Sequence, residues 1–286
     1  MEFGVKVREL RMKKGFSQKE IYTGIISKSY AIEFEKGRHS LSSLLLIEVL
    51  DRLSMDIDEF LFINRGYLLN PYADYIYRLS KYSNSHDLGN LKLLLEELSS
   101  HNDIVSKVRQ AEVRCRINMI DSILSTGSFR PDVILKEDRD LIQDYLMEIE
   151  TWTLQEVQLF GNTIEFLNFE KHLPLFKNLS KSLTLYIEYD KGREIFCAML
   201  LNLIVQAIKN DYLDYAEVLT VQLKMLSSEY KEFFHRVVAD FFSNIIELKK
   251  GGSFESKLKA QKYLDLISSL GQKAIATELS YLLHNE

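Results

Sequence analysis

Proline, glycine and cysteine are scarce in this 286-residue sequence, which has 3, 12 and 2 of them respectively. So few turn-forming residues argue against an all-β fold, and long stretches rich in Leu, Ile, Lys and Glu favour an all-α protein. Cys115 and Cys197 lie far apart within predicted helices, and no Cys or His cluster has the spacing of metal ligands. We therefore expect neither a disulfide framework nor a metal site.

Long apolar runs and catalytic motifs are missing as well. No run approaches the roughly 18 residues of a membrane span, and the first ten residues lack the charged-then-apolar pattern of a secretory signal. The sequence also lacks a Gly-rich phosphate loop, GxSxG, HExxH and CxxC. We expect a cytoplasmic protein that is not an enzyme, uses no cofactor and has no membrane partner.

Charge is distributed unevenly along the chain. Residues 1–40 carry nine Lys and Arg against five Asp and Glu, although the whole chain has a net charge of −5. A basic N-terminal segment on an acidic body is typical of a small module that approaches phosphates.

Five short helices are predicted in the first 62 residues. Ser17 and Glu20 have the spacing of a capping box at the start of the second helix, and Ser27 is placed to cap the third. The expected helices cover residues 2–14, 18–24, 27–37, 41–53 and 56–62.

This N-terminal pattern resembles the lambda-repressor-like helix-turn-helix family. The resemblance implies that the third helix enters the major groove of DNA with its first residues nearest the bases. It also implies an internal ion pair between Arg11 and Glu35. The residues that carry the resemblance are Gly4, Leu10, Arg11, residues 15–21, Ser27, residues 34–37, Ser40, Leu41 and residues 57–60.

The same resemblance places the candidate DNA contacts on and around the third helix. Residues at its start would read base edges, Gln18 would bond a phosphate and brace this helix, and nearby cations would contact phosphates. Glu33 departs from the family pattern, since it would repel phosphate or accept a hydrogen bond from a cytosine amino group. The expected DNA-binding residues are Gln18, Ser27, Lys28, Ser29, Tyr30, Lys14, Lys36 and Arg38.

The remainder of the chain is predicted as successive helices that recur in pairs, among them residues 71–84, 154–169, 172–188 and 230–250. Pairs begin near residues 137, 172, 212 and 254, a period of about 35 to 42 residues that is typical of tetratricopeptide-like hairpins. Such hairpins stack into a right-handed solenoid with a concave groove. The signature residues of the repeat are not evident, so the predicted fold is an α-solenoid of degenerate repeats.

Asparagines recur inside the apolar helical stretches at intervals of 44, 40 and 42 residues. A buried Asn must satisfy its amide, so such a series could line a groove and bond the backbone of an extended peptide. The alternative is that each Asn bonds a neighbouring helix end or a water. The candidate peptide-binding residues are these asparagines and nearby apolar side chains: Asn118, Asn162, Asn202, Asn244, Phe166, Leu203 and Phe241.

Over its whole length the chain resembles the Rgg/GadR/MutR group of peptide-responsive regulators of Gram-positive bacteria. The resemblance implies a homodimer that binds a double-stranded DNA operator under the control of a short hydrophobic signalling peptide, as in quorum sensing. Its domains would be residues 1–64 for DNA, a linker at 65–72, and residues 73–286 for the peptide and for dimerisation. The residues that carry the resemblance are residues 17–37, Trp152, residues 159–162, Leu201 and Asn202.

Two other functions stay open at this point. A phage-type or antitoxin-like repressor without a ligand would use the helical body only to dimerise, and its inner face would be filled or flat. An enzyme fused to a DNA-binding head, such as a peptidase, would need a nucleophile with its base or a set of metal ligands.

Overall fold

The computed structural model describes residues 3–168, 179 and 183–284, and every regular element within these residues is helical. The prediction of an all-α protein is confirmed. The chain divides into two compact units, residues 1–81 and 82–286. In the part of the chain that is described, no helix is both long enough and apolar enough to cross a membrane.

The first unit contains five short helices and most of a sixth. Each of the first five begins within about two residues of its predicted start, because Ser and Asp caps and glycine turns mark the boundaries. The helices are α1 (Phe3–Lys13), α2 (Gln18–Tyr22), α3 (Lys28–Glu35), α4 (Ser43–Arg52), α5 (Ile57–Asn64) and α6 (Pro71–Asn84).

All of the helices α1 to α5 contribute to one hydrophobic core. At least one residue of each helix is at most 1% exposed, and burial of this kind contributes roughly 1.5–3 kcal/mol per large apolar side chain. The central residues, one from each helix in order, are Val7, Ile21, Phe34, Val49 and Phe60.

Gly4 allows α1 and α3 to approach each other closely. A Cβ atom at this position would lie 1.7 Å from the backbone carbonyl oxygen of Phe34. A side chain of any size would therefore force the two helices apart, which explains a glycine inside the first turns of a helix.

The second unit continues as antiparallel helices that pack in order along the chain. From α7 to α9, and again from α10 to α15, each helix contacts the next, and α11 also contacts α13. This pattern is that of stacked helical hairpins. The helices are α7 (Leu88–Leu98), α8 (Ile104–Thr126), α9 (Lys136–Glu148), α10 (Leu154–Thr163), α11 (Asp190–Lys209), α12 (Leu213–Leu226), α13 (Phe233–Lys249), α14 (Phe254–Ser269) and α15 (Lys273–His284).

Two helices of this unit differ from their predicted bounds. The helix predicted for 154–169 ends at Thr163, where the Phe166 amide turns back to bond the Thr163 carbonyl oxygen at 2.8 Å. The helix predicted from residue 230 begins at Phe233, after the 3₁₀ turn Tyr230–Glu232. Most of the helix predicted for 172–188 lies outside the described residues.

Candidate DNA-binding and ligand-binding sites

The segment from α2 to α3 is a pair of capped helices joined by a short turn. Ser17 Oγ accepts from the Glu20 amide at 3.2 Å, and Glu20 Oε2 accepts from the Ser17 amide at 2.7 Å, which is the predicted capping box. Ser27 caps α3 by accepting from the Tyr30 amide at 3.3 Å. Gly24 turns the chain between the helices with φ +85°.

One buried carboxylate, that of Glu35, joins α1, α2 and α3. Arg11 donates to it from Nε at 2.6 Å and from Nη2 at 2.9 Å, so the predicted ion pair is confirmed. Gln18 Nε2 donates at 2.7 Å and the Tyr22 hydroxyl at 2.9 Å. Although burial opposes it, these hydrogen bonds lower the pKa of Glu35. The Gln18 amide therefore bonds the last residue of α3, and its contact to a phosphate stays a prediction.

The first residues of α3 are exposed, as a surface that reads DNA requires. Lys28 makes no hydrogen bond or ion pair to any described residue, and the Ser29 hydroxyl lies 3.1 Å from Ser27 Oγ. Tyr30 is held more firmly, because its hydroxyl donates to the Ser40 carbonyl at 2.9 Å and its ring stacks on His39 with centroids 4.9 Å apart. Lys28 and Ser29 are therefore the side chains freest to meet a base.

The three cations expected at phosphates all have partners within the protein. Lys14 Nζ donates to the Leu53 carbonyl at 2.6 Å, at the end of α4, where a positive charge is favourable. Lys36 and Arg38 pair with Glu33 at 2.9 and 3.1 Å, and these cations lower the pKa of the Glu33 carboxyl. Glu33 thus offsets two of the charges that would attract DNA.

The side-chain amides of the four recurring asparagines all donate within the protein. Asn162 bonds Glu112 of α8 at 3.0 Å, and Asn202 bonds the Gly161 carbonyl of α10 at 3.0 Å. Asn118 Nδ2 lies 3.3 Å from the Val133 carbonyl oxygen, and Asn244 bonds the Asp240 carbonyl one turn earlier at 2.7 Å. Asn202 therefore bonds the backbone of the residue before Asn162, whereas the Asn162 side chain bonds α8 and Asn244 bonds within its own helix.

The apolar residues expected beside the asparagines lie inside the unit. Leu203 and Phe241 are 0% exposed and Phe166 is 3% exposed. In this structure they form core rather than open surface. Periodicity marked them as apolar helix positions but does not distinguish a groove-facing position from one that faces the next helix.

Two charged residues of α8 that the sequence did not single out lie beside Asn162. Arg116 donates to Glu165 at 2.6 Å and to the Asn162 carbonyl at 2.7 Å, and its guanidinium lies 4.9 Å from the Phe166 ring centroid. Glu112 accepts from the Asn162 amide. The available signal was the four-residue spacing of Glu112 and Arg116, which places both on one face of a helix.

Both cysteines are buried, and one of them belongs to a cluster of potential metal ligands. Burial raises the pKa of each thiol to about 12. The Cys197 sulfur lies near Glu232 and His235. The sequence led us to expect no metal ligands because 35 residues separate Cys197 from Glu232.

Comparison with known proteins gives one matching family and several similar structures. Residues 91–280 match the family model of the C-terminal domain of the HTH-type transcriptional regulator Rgg. The crystal structure of a candidate transcriptional regulator from Listeria monocytogenes EGD-e shares 33% identity and a TM-score of 0.89, over 99% of this chain and 96% of that one.

Two more distant structures share the fold. The Streptococcus dysgalactiae SHP pheromone receptor Rgg2 is 23% identical with a TM-score of 0.78, and the PrgX/cCF10 complex is 17% identical with a TM-score of 0.73. In both comparisons 99% of each chain is covered. With the family model spanning most of the chain, this protein belongs to the Rgg family of HTH-type transcriptional regulators.

Proposed function

We propose that this chain is a cytoplasmic homodimeric regulator whose binding to an operator is controlled by a short hydrophobic peptide. The observation that carries the proposal is the conjunction of an exposed α3 start in the first unit with a polar site at Asn162 and Asn202 in the second. The similarity to the SHP pheromone receptor Rgg2 and to the PrgX/cCF10 complex supports a peptide as the ligand.

The DNA-binding half of the proposal rests on α3. Lys28 and Ser29 are exposed at its N-terminal end, and the Glu35 carboxylate holds α3 rigidly against α1 and α2. A rigid helix with free polar residues at its start suits base readout in the major groove. Ser27, Tyr30 and Gln18 would then shape and position this helix, and residues 1–64 would form the DNA-binding domain.

The peptide-binding half rests on acceptor groups that remain near the α10–α11 contact. The Oδ1 atoms of Asn162 and Asn202 accept no hydrogen bond from the described residues, although both Nδ2 atoms are used. Asn202 is exposed, and Arg116 beside Asn162 carries a positive charge. An extended peptide needs acceptors for its N–H groups along its length. Asn118 and Asn244 would extend the same site.

Dimerisation and the linker complete the proposal. A single small head reads few base pairs, so a two-fold dimer is needed to recognise one site in a genome. We place the dimer contact on the last helices, from Phe254 onward, where Phe254, Leu258 and Tyr281 are exposed apolar side chains. Residues 65–72 would form the linker that transmits the peptide signal, because a ligand can bias only a state that it contacts differently.

A peptide-retention experiment on matched variants tests the ligand half. A pool of synthetic hydrophobic octapeptides is incubated with the full chain, and retained peptides are identified by native mass spectrometry. Asn202→Ala should lower retention at least tenfold while the chain stays folded, with at most the small drop in unfolding midpoint that loss of its bond to Gly161 causes. Asn210→Ala is the control, since Asn210 lies at the end of the same helix and bonds only the Gln206 carbonyl.

The same experiment separates a binding role for Asn202 from a structural one. If Asn202→Ala lowers the unfolding midpoint while the retained peptides are unchanged, then Asn202 serves only its bond to Gly161. If no variant and no wild-type chain retains any peptide of the pool, the body acts only in dimerisation and the ligand-free repressor is the correct function.

A further inference from the structure

Three potential metal ligands from separate elements converge in the second unit. Cys197 lies in the middle of α11, Glu232 in the 3₁₀ turn before α13, and His235 in the first turn of α13. One ligand atom from each, the Cys197 sulfur, a Glu232 carboxylate oxygen and a His235 ring nitrogen, all lie within 4.8 Å of one another. Glu232 and His235 are three residues apart, so they project on one side of the turn.

The cluster is buried, and its carboxylate has little compensation. Cys197 is 0% exposed, and the side chains of Glu232 and His235 are 8% and 15% exposed. Within the described part of the chain, the Glu232 carboxylate has a single hydrogen-bond partner, His235 Nδ1 at 3.0 Å. A buried carboxylate is costly unless it is paired or coordinates a cation.

A nearby arginine pairs with carboxylates other than that of Glu232. Arg193, one turn before Cys197 in α11, pairs with Asp190, lies 3.6 Å from Glu229 and donates to the Ile187 carbonyl at 2.6 Å. Its Nε is buried and has no hydrogen-bond partner in the described chain. The Arg193 guanidinium therefore keeps one donor unused. This donor suits the cluster, because the cluster gains negative charge when the Cys197 thiol ionises.

We propose that Cys197, Glu232 and His235 bind a divalent ion of the zinc class. Thiolate, imidazole and carboxylate are the ligands that zinc takes, at distances of about 2.0 to 2.3 Å. Ligand atoms around such an ion lie roughly 3.3–3.8 Å apart, so small side-chain rotations would close the site. The Cys197 thiol releases its proton to solvent as the sulfur–metal bond forms.

The ion would link α11 directly to the start of α13. Three protein ligands leave a fourth position for water on the side of the partly exposed His235. The link spans the α12 hairpin, so metal occupancy would stabilise this part of the repeat. Binding of the ion would require neither the peptide nor DNA.

The test is cobalt and zinc binding to the tag-free full-length chain after treatment with a chelator. Addition of CoCl₂ should produce a thiolate-to-cobalt charge-transfer band that saturates at one ion per chain, and ZnCl₂ should displace the cobalt and raise the unfolding midpoint. Cys197→Ser should abolish the band, and His235→Gln should weaken binding at least tenfold. Cys115→Ser, which removes the other buried thiol, should change neither.

Other results would overturn the proposal. If Cys197→Ser retains the band or the zinc stoichiometry, the ion binds elsewhere, and if the wild-type chain binds less than a tenth of an ion at micromolar zinc, no such site exists. Because Cys197→Ser removes a core side chain, Glu232→Gln is measured alongside it, with circular dichroism to establish folding. Full zinc affinity in a folded Glu232→Gln variant would also overturn the proposal.

Discussion

At the scale of single residues, Glu35 links the first three helices through one carboxylate. Both of its oxygens accept hydrogen bonds, and removing them leaves the buried Arg11 guanidinium without a carboxylate partner. We expect Glu35→Ala to lower the free energy of unfolding of the first unit by about 3–5 kcal/mol. Hydrogen exchange of the α2 and α3 amides in the full chain measures this loss, and Glu33→Ala on the exposed side of α3 should leave the exchange nearly unchanged.

The same residue makes a pH-dependent contribution with a definite sign. The pKa of Glu35 in the folded protein lies below its ordinary value of 4.5, owing to hydrogen bonds from Arg11, Gln18 and Tyr22. Its stabilisation is therefore complete above about pH 4.5 and is lost as the pH falls through the lowered folded value. The stability difference between wild type and Glu35→Gln should shrink on acidification. A difference that widens in acid would contradict this assignment.

Gly4 allows a third prediction for a single residue, which rests on steric space rather than on charge. Since a Cβ atom would meet the Phe34 carbonyl at 1.7 Å, Gly4→Ala should destabilise the first unit by at least about 3 kcal/mol, the upper range for overpacking. Gly89→Ala in α7 is the control, because its nearest contact would be an ordinary 3.5 Å. Thermal unfolding should show a large loss for the first variant and none for the second.

At the scale of elements, α3 separates specificity from general affinity for DNA. Ala at both Lys28 and Ser29 should cost roughly 1–3 kcal/mol on the selected site and little on random DNA. Glu33→Gln should act differently, because it frees Lys36 and Arg38 to contact phosphates. We expect tighter binding to all DNA and a steeper salt dependence, by about one unit for each cation recruited. Titrations of labelled duplexes at several salt concentrations measure both effects.

The helices themselves were largely predictable because local signals mark their ends. Asn70 and Pro71 predict the start of α6, and the structure begins that helix at Pro71, with Asn70 accepting from the Ala73 amide. Ser17 with Glu20 likewise predicts the start of α2. The end of α10 was not predictable, because no helix-breaking residue lies there. The Phe166 amide bonds the Thr163 carbonyl as a result of packing.

The candidate sites were only partly predictable, because some of their contacts join residues that are far apart along the chain. The start of α3 follows from local capping and a motif, so its exposed residues could be named. Arg116 meets Asn162 across 46 residues and Cys197 meets Glu232 across 35. No local sequence pattern marks either of these contacts, because side-chain packing sets the register of one helix on another.

At the scale of the whole molecule, the chain is a two-unit regulator of the Rgg family, and the proposed dimer makes the symmetry of its DNA site testable. A dimer should select a two-fold symmetric DNA site whose half-sites lie about 34 Å apart or a multiple of that distance. A monomeric chain would select one short asymmetric sequence instead. The symmetry of the selected DNA therefore reports on the assembly as well as on the head.

The most direct measurement is selection of binding sites from a randomised duplex library by the full-length chain, followed by titration. We predict a palindromic site that the chain binds at least about 10³-fold more tightly than scrambled DNA at physiological salt. A peptide that the wild-type chain retains should alter this affinity, and the same peptide should not alter it in the Asn202→Ala variant. Recovery of unrelated sequences, or an affinity that no retained peptide changes, would contradict it.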